Sequence, residues 1–301
     1  MSPSHAVAIP SWKGAALLRR HLPSVLAEAR LSGASGVVVC DDGADAETAA
    51  VIAADFPSVR LHVRPERGGF SRSATDAVIA AEAEIVVLLN NDMEVHAGCF
   101  GALVAPFGRH PNLFAAVPRI VRSATGLDEA HTRLHFRRGV VATSVGGDPS
   151  RAPDYACGGA MAVRRSVFLE LGGFDPLFAP FYWEDVDLSY RARKRGMEIA
   201  FVPEARVDHD HGATIGGRFP RAEVSRVYER NRLLFTWKNL TDPGLFRRHL
   251  AGLVPKLLWD VAAHPAFVRG ALDALARRAE VSASREAERR QARVSDRELL
   301  R

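Results

Sequence analysis

The run Ile85-Val-Val-Leu-Leu89, with the three residues that end it, Asn90-Asn91-Asp92, constrains this chain more than any other stretch. Five apolar residues in succession, three of them β-branched, describe a strand buried on both faces, as in a parallel sheet covered by helices. In open α/β sheets ligands bind beyond the carboxyl ends of the strands. Asp92 offers a carboxylate at that edge and Asn90, two residues away, an amide oxygen. Hard cations such as Mg2+ and Mn2+ take oxygen ligands, usually one or two carboxylates plus substrate phosphates. Asn-Asn-Asp is equally a turn sequence, so the rest of the chain has to decide.

The residues before it alternate between strand and helix. Residues 6–10 read as a strand broken by Pro10, with a loop Ser11-Trp-Lys-Gly14 after it. Leu17, Leu18, His21, Leu22, Val25 and Leu26 then recur at helical spacing. Val37-Val-Val-Cys40 is a second buried strand and stops at Asp41-Asp42-Gly43. A helix over residues 45–55 and a strand over 59–63 lead to a polar loop over 64–69. Ser71 or Ser73 caps the helix that follows, through residue 81. This alternation predicts βαβ units and a mostly parallel sheet. Two strands thus end in acids at one edge. Asp41 or Asp42 is placed to accept a hydrogen bond from a pyrimidine imide or a ribose hydroxyl, although Asp-Asp-Gly also makes a good turn.

Residues 93–153 look irregular, with Pro106, Pro111, Pro118 and Pro149 among them, and one strand at 114–118. Such a region shapes a substrate pocket. Gly158 and Gly159 open a strand-like run and either let the backbone approach a ligand or form a bulge. The most specific stretch is 167–212. Leu171-Gly-Gly-Phe-Asp-Pro176 stops a helix, and Phe181-Tyr-Trp183 then precede Glu184, Asp185 and Asp187 at the start of the next, which ends at Gly196. Acids suit a helix's first turn. An aromatic wall also desolvates a carboxylate and raises its basicity, as general-base work requires. A strand at 199–202 is followed, after Pro203 and Val207, by His209-Asp-His211, which can add a nitrogen ligand to a cation site.

Taken in order, these motifs resemble inverting glycosyltransferases of family 2, of the GT-A fold, over about residues 5–238. Val7-Ala-Ile-Pro-Ser-Trp-Lys-Gly14 resembles the opening strand and loop, and Val39-Cys-Asp-Asp-Gly43 the base-binding strand end. Arg67-Gly-Gly-Phe-Ser71 resembles the loop before the donor-side helix, and Leu89-Asn-Asn-Asp-Met-Glu94 the metal and diphosphate motif. Gly158 with Arg164-Arg165, Gly172-Gly-Phe-Asp175, Trp183-Glu-Asp-Val-Asp-Leu188, Val202-Pro-Glu-Ala and His209 complete the series. The resemblance implies donor-nucleotide contacts at Pro10, Ser11, Asp41 or Asp42, Gly69, Phe70, Arg72 and Asn91. It implies a divalent cation (Mn2+ or Mg2+) at Asp92 and His209, with Asn90 beside them and His211 a poorer choice than His209. Asp185 would deprotonate the acceptor hydroxyl, Glu184 would orient the acceptor or the base, and Gly158, Gly159 and Trp183 would face the donor sugar or acceptor. Asn90 stands where the family has its first acid, a variation shared with rhamnosyltransferase-like members, and Thr75 and Ala77 depart from the donor-side helix.

The tail begins near Tyr228-Glu-Arg-Asn-Arg232, so residues 1–238 are expected to form the catalytic domain and 239–301 a helical extension, partly exposed. Leu233, Leu234, Trp237, Leu250, Leu253, Val254, Leu257, Leu258 and Val261 recur at helical spacing and either pack on the core, join two copies or lie on a membrane surface. From about 279 onward an exposed or partly disordered helix is expected. Residues 245–301 hold 12 Arg or Lys against 7 Asp or Glu, which accounts for the whole net charge of +5. They carry few aromatics, which argues against nucleic acid. Three scattered cysteines exclude a disulfide framework or zinc cluster. With no leader-like N-terminus and no long apolar run, a cytoplasmic protein is expected, at most peripheral at the inner face of a membrane. The expected activity is metal-assisted, inverting transfer of a sugar from a UDP- or dTDP-linked donor to a hydroxyl of a glycan or lipid-linked acceptor, in cell-surface polysaccharide or glycoconjugate synthesis. The alternatives are a degenerate nucleotide-sugar-binding module, or a sugar-nucleotide nucleotidyltransferase, for which Ser11-Trp-Lys-Gly14 is a poor triphosphate loop.

Overall fold

A computed structural model describes residues 3–146, 148, 150–210 and 219–300; His211 lies outside them. The buried runs form the centre of an eight-stranded sheet. Strands β1 (His5–Ser11), β2 (Val37–Asp42) and β3 (Arg60–Arg64) are parallel, and β4 (Ile85–Leu89) lies parallel on the other side of β1. Every residue of β1, β2 and β4 is buried. This is why their sequences read as unbroken apolar runs rather than alternations. Helices α1 (Ala15–Ser32), α2 (Ala46–Asp55) and α3 (Phe70–Ala80) make the crossovers. The strand order turns back between β1 and β4, which opens a crevice at their carboxyl ends.

Helix α3 starts differently from expectation. Gly69 is its N-cap, with φ of 77° and no side-chain cap. Ser71 and Ser73 are buried inside the first turn, where Ser73 Oγ donates to the Cys40 carbonyl at 3.4 Å. They face the sheet and so cannot reach back to cap.

The stretch expected to be irregular is largely regular. It holds β5 (Met93–Val95), α4 (Cys99–Val104), β6 (Leu113–Arg122) and a separate hairpin of β7 (Thr132–Arg137) and β8 (Val140–Val145). Next come β9 (Ala160–Arg164), α5 (Arg165–Glu170), α6 (Glu184–Lys194) and β10 (Glu198–His209). The sheet order is β3-β2-β1-β4-β9-β6-β10-β5, with β9 and β5 antiparallel to their neighbours. β6 and β10 outrun their expected spans because the ladder accommodates their prolines. Val202 pairs with Pro118 and the register then jumps to Arg206 with Arg119. The missing N–H groups of Pro118 and Pro203 fall beside an irregularity where the pairing is already broken.

Helices α7 (Arg221–Asn239), α8 (Pro243–Ala263), α9 (Pro265–Ala276), α10 (Arg278–Gln291) and α11 (Asp296–Leu299) follow. The end of the chain is an exposed helix over most of its length, yet it docks through a few residues. Val281 and Leu299 enter a second hydrophobic cluster with Leu134, Trp183, Tyr190 and Phe235. Buried Asp296 accepts from the Tyr190 hydroxyl at 2.7 Å and lies 2.8 Å from Lys194 Nζ. Ser295 and Glu298 form a capping box over α11. The polar composition hid this, because much of the docking is ionic.

Candidate active site

The carboxyl ends of β1, β2 and β4 open into a cavity of about 560 Å3. Pro10 and Ser11, at the end of β1, line it, and Ser11 Oγ accepts from Asn91 Nδ2 at 2.9 Å, tying two strand ends together. Asp42 lines it from β2. Its carboxylate accepts from the N–H groups of Gly68 and Gly69 at 2.7 and 2.8 Å and from Arg64 Nε at 3.1 Å. Asp42 thereby shapes the loop that brings Gly69 and Phe70 into the cavity wall.

Asp41 and Asp42, which sequence left undivided, are separated by the strand. Adjacent side chains of a strand point to opposite faces. Asp41 lies outside the cavity, fully buried, and accepts from the Asp45 N–H at 2.6 Å. Burial pushes its carboxyl up from the ordinary range. Arg72, implied as a donor contact, is exposed on α3 and outside the lining, so this expectation is corrected. Its stem lies against Gly68, where an added Cβ would come within 2.9 Å of it. Arg67 lines the cavity in its place, its guanidinium 3.6 Å from the centroid of the Trp12 ring.

At the end of β4, Asp92 meets the last residue of β10. β5 and β10 pair Met93 with His209, which sets His209 Nε2 3.5 Å from Asp92 Oδ1. His209 Nδ1 lies 3.0 Å from Glu129 Oε2. Burial disfavours the imidazolium, but the polar contacts and charges of Asp92 and Glu129 prevail and hold its pKa at about 9. Asp92 Oδ1 is buried with no hydrogen-bond partner among the described residues. Asn90 lines the same wall, its N–H bound to the Gly159 carbonyl at 2.8 Å. Among the described residues no three His, Cys, Asp or Glu side chains converge as a metal cage. A two-ligand protein site completed by substrate phosphates fits a Mg2+ or Mn2+ ion, and the orphaned Asp92 oxygen facing a ring nitrogen fits that description. Glu129, which no sequence motif singled out, is the carboxylate that orients such a histidine. It comes from a segment with no periodicity to mark it.

Across the cavity, Glu184 and Asp185 open α6. Asp185 Oδ2 accepts from the Gly158 N–H at 3.0 Å and Oδ1 from the Val186 N–H at 2.8 Å. A Cβ on Gly158 would stand 3.2 Å from the Asp185 Cβ, so glycine permits this approach. Burial pushes the Asp185 carboxyl up, against the pull of its backbone hydrogen bonds. Burial and then the neighbouring Asp185 push Glu184 well above the carboxylate range, and its Oε2 finds no hydrogen-bond partner among the described residues. Gly158 and Gly159 both line the cavity; Trp183, expected to face substrate, does not. Positive φ at Tyr182 and Trp183 (70° and 75°) turns the indole into the second cluster, its ring centroid 5.1 Å from that of Phe235. Phe181 and Tyr182 line the cavity instead. Asp187 is likewise remote. It is fully buried, with Arg191 Nε at 2.7 Å, Lys238 Nζ at 2.8 Å and Asn239 Nδ2 at 2.8 Å. Burial opposes its charge, but Arg191 and Lys238 outweigh this and hold its pKa below the ordinary value.

A family model described as "Glycosyltransferase like family 2" matches residues 3–230. A putative polypeptide N-acetylgalactosaminyltransferase 10 of Drosophila melanogaster is 24% identical over 261 residues, 80% of this chain and 40% of the relative. An N-acetylglucosaminyl-diphospho-decaprenol L-rhamnosyltransferase of Mycobacterium tuberculosis is 28% identical over 220 residues, 63% of this chain and 70% of the relative. The chain thus spans about 40% of the first of these relatives and more of the second. A crystal structure of GalNAc-T7 with UDP, GalNAc and Mn2+ superposes with a TM-score of 0.63 at 17% identity, covering 87% of this chain and 58% of that one. The family match over most of its length places this chain in glycosyltransferase family 2, and the sheet with its reversal beside β1 and the helices around it give it the GT-A fold.

Proposed function

We propose that this protein transfers a sugar from a UDP- or dTDP-linked donor to a hydroxyl of a glycan or lipid-linked acceptor, with inversion, in the synthesis of a cell-surface polysaccharide or glycoconjugate. The observation that carries the reading is the convergence of two opposed centres on one cavity. The Asp92–His209 pair lies on one wall and the buried Glu184–Asp185 pair on another. Residues 1–238 form the catalytic unit in this reading, with 239–301 an extension braced against α6 through Asp296.

Asp92 and His209 would hold the divalent cation, with Asn90 beside them. When bound it supplies charge neutralisation to the leaving diphosphate. Ser11, Asp42, Gly69, Phe70 and Asn91 would receive the nucleotide, with Arg67 rather than Arg72 at its edge. Asp185 takes the acceptor proton. Its burial keeps it basic enough to do so, while two backbone N–H groups fix its direction. Glu184, one residue away, orients the acceptor hydroxyl. Attack from the Asp185 side, opposite the diphosphate, inverts the anomeric centre.

The rhamnosyltransferase relative acts on a lipid diphosphate acceptor by its name, which supports the lipid-linked alternative here. Among the described residues no helix is long and apolar enough to cross a membrane. Heat-unfolding shifts with UDP, dTDP and GDP, each with and without Mn2+, test the reading. A cation-dependent shift with one pyrimidine diphosphate is expected. No shift with any of the three would leave a module that has lost its donor site, or a protein that binds donor only with acceptor present.

A further inference from the structure

A second and larger cavity, of about 1070 Å3, lies between α7, the end of α8 and α9. Six Arg or Lys side chains line it against three Asp or Glu. Gly270 lets α9 lie directly on α7: a Cβ there would stand 2.9 Å from the Arg226 carbonyl oxygen and the Arg230 nitrogen. The close crossing brings cations of both helices to one hollow.

Among the described residues, two of these cations make no ion pair. Arg230 donates to the side-chain oxygen of Asn231, at 2.9 Å, and to the Ala179 carbonyl. Arg269 is exposed and makes no ion pair among the described residues. Arg226 is occupied by Asp273 at 2.6 and 2.7 Å. Arg232 pairs with Glu229, yet its buried Nε finds no hydrogen-bond acceptor among the described residues. Burial and the charges of Arg277 and Arg226 pull the pKa of Arg230 down, against Asp273. The hollow is therefore under-neutralised and favours an anion.

Its position connects it to the first cavity. Pro180 lines both. Asn231, next to Arg230 on α7, donates to the carbonyls of Phe178, Phe181 and Tyr182 at 2.6, 2.9 and 2.9 Å. One turn of α7 thus faces the basic hollow and also holds the segment that presents Phe181 and Tyr182 to the active-site cavity.

We propose that the hollow lined by Arg230 and Arg269 binds the phosphate or diphosphate group of the acceptor while the acceptor's sugar end reaches Asp185 past Pro180. The inference rests on the transferase reading for the acceptor's role, and on the hollow alone for the anion. Guanidinium groups suit this work because they present planar, multiple donors to phosphate oxygens.

The first test titrates inorganic pyrophosphate calorimetrically in the presence of EDTA, into the wild type, Arg269→Glu and Asp92→Asn. The exposed position of Arg269 leaves folding intact, and a thermal melt verifies it. Tenfold or greater weakening in Arg269→Glu with Asp92→Asn unchanged is expected. Equal affinity in wild type and Arg269→Glu, no binding at millimolar pyrophosphate, or a loss confined to Asp92→Asn would each overturn the site.

The second test compares transfer to a sugar carried on a short prenyl diphosphate, the same sugar as a soluble diphosphate, and its alkyl glycoside. Arg269→Glu should raise KM about tenfold for the phosphate-bearing acceptors and leave the glycoside and donor hydrolysis unchanged. An effect on both phosphate acceptors assigns recognition to the phosphate alone, and an effect on the prenyl compound only assigns it to a lipid headgroup. An equal KM change for all three overturns the proposal. Pyrophosphate binding without transfer to any acceptor would sink the acceptor role together with the transferase reading. Transfer without a pyrophosphate site would sink the hollow alone.

Discussion

Replacing Asp185 with Asn separates the two duties its carboxylate is assigned here. The carboxylate accepts from Gly158 and Val186 at 3.0 and 2.8 Å, and in the proposed reaction it receives the acceptor proton. Asparagine has nearly the same shape and keeps one acceptor oxygen, so one of these bonds survives. Loss of the other, a bond to a charged group, is worth about 1.5–3 kcal/mol. Against this stands the removal of a buried negative charge that pushes Glu184 well above the carboxylate range. The two changes oppose each other, so the folded state should lose little. Turnover should fall by about 10²–10⁴, the usual contribution of a general base, or about 2.7–5.4 kcal/mol in the barrier. Nucleoside diphosphate release measured with saturating donor and acceptor reads the first quantity, and calorimetric donor binding reads the second. Turnover within threefold of wild type, or donor binding lost along with turnover, would refute the assignment.

The same pair sets a pH dependence. Asp185 and Glu184 both have folded-state pKa values above their ordinary ones. Between the unfolded and folded values the native state binds more protons, so stability falls as pH rises through that window. Activity moves oppositely, because the base must be ionised, and its acid limb should have a midpoint above the ordinary aspartate range. Asp185→Asn should flatten the stability loss toward neutral pH, read by urea unfolding at several pH values.

Asp92→Asn and His209→Ala should each abolish the Mn2+-dependent part of the diphosphate's heat-stability shift, which is about 2.7 kcal/mol at a hundredfold excess over Kd; a retained shift would place the cation elsewhere. Lys238→Met leaves buried Asp187 with Arg191 and Asn239 as its partners among the described residues, and should cost about 3–5 kcal/mol in urea unfolding. A cost below about 1 kcal/mol would mean that Arg191 alone neutralises it. Gly158→Ala puts a methyl 3.2 Å from the Asp185 Cβ and should lower kcat about 10²-fold with an unchanged melting midpoint; a normal kcat would show that the base tolerates displacement.

Much of the sheet was legible because its strands are buried on both faces. Runs such as Ile85–Leu89 have no alternation to misread, and their abrupt polar ends mark the ligand edge directly. Asp92 and His209 could be singled out because one follows the buried strand β4 and the other ends β10. What pairs them is the antiparallel β5–β10 contact of Met93 with His209. A three-residue strand such as β5 leaves almost no pattern, so the distance between the two side chains could not be inferred. Glu129 was invisible because its role depends wholly on where His209 arrives.

What sequence could not divide among neighbouring acids is direction rather than chemistry. Asp41 and Asp42, or Glu184, Asp185 and Asp187, are equivalent as acids and differ only in where the backbone aims them. For the strand pair, alternation promises that one faces the ligand, but choosing it needs the path of the distant loop whose Gly68 and Gly69 N–H groups bind Asp42. For the helix, a sequence rule was available: Arg191 lies four residues after Asp187, a spacing that pairs opposite charges on one helix face, and the structure puts them 2.7 Å apart. An acid with such a partner is already neutralised and is a poor base, whereas Asp185 has no cation at that spacing, Ser189 being four residues on. Trp183 had no comparable signal. Its orientation follows from two consecutive non-glycine residues at positive φ, held by Asn231 from a helix about fifty residues later. The cavity wall that carries Phe181 and Tyr182 is therefore held by α7, and in the proposed reading substitutions on that helix should alter acceptor use before they alter donor binding.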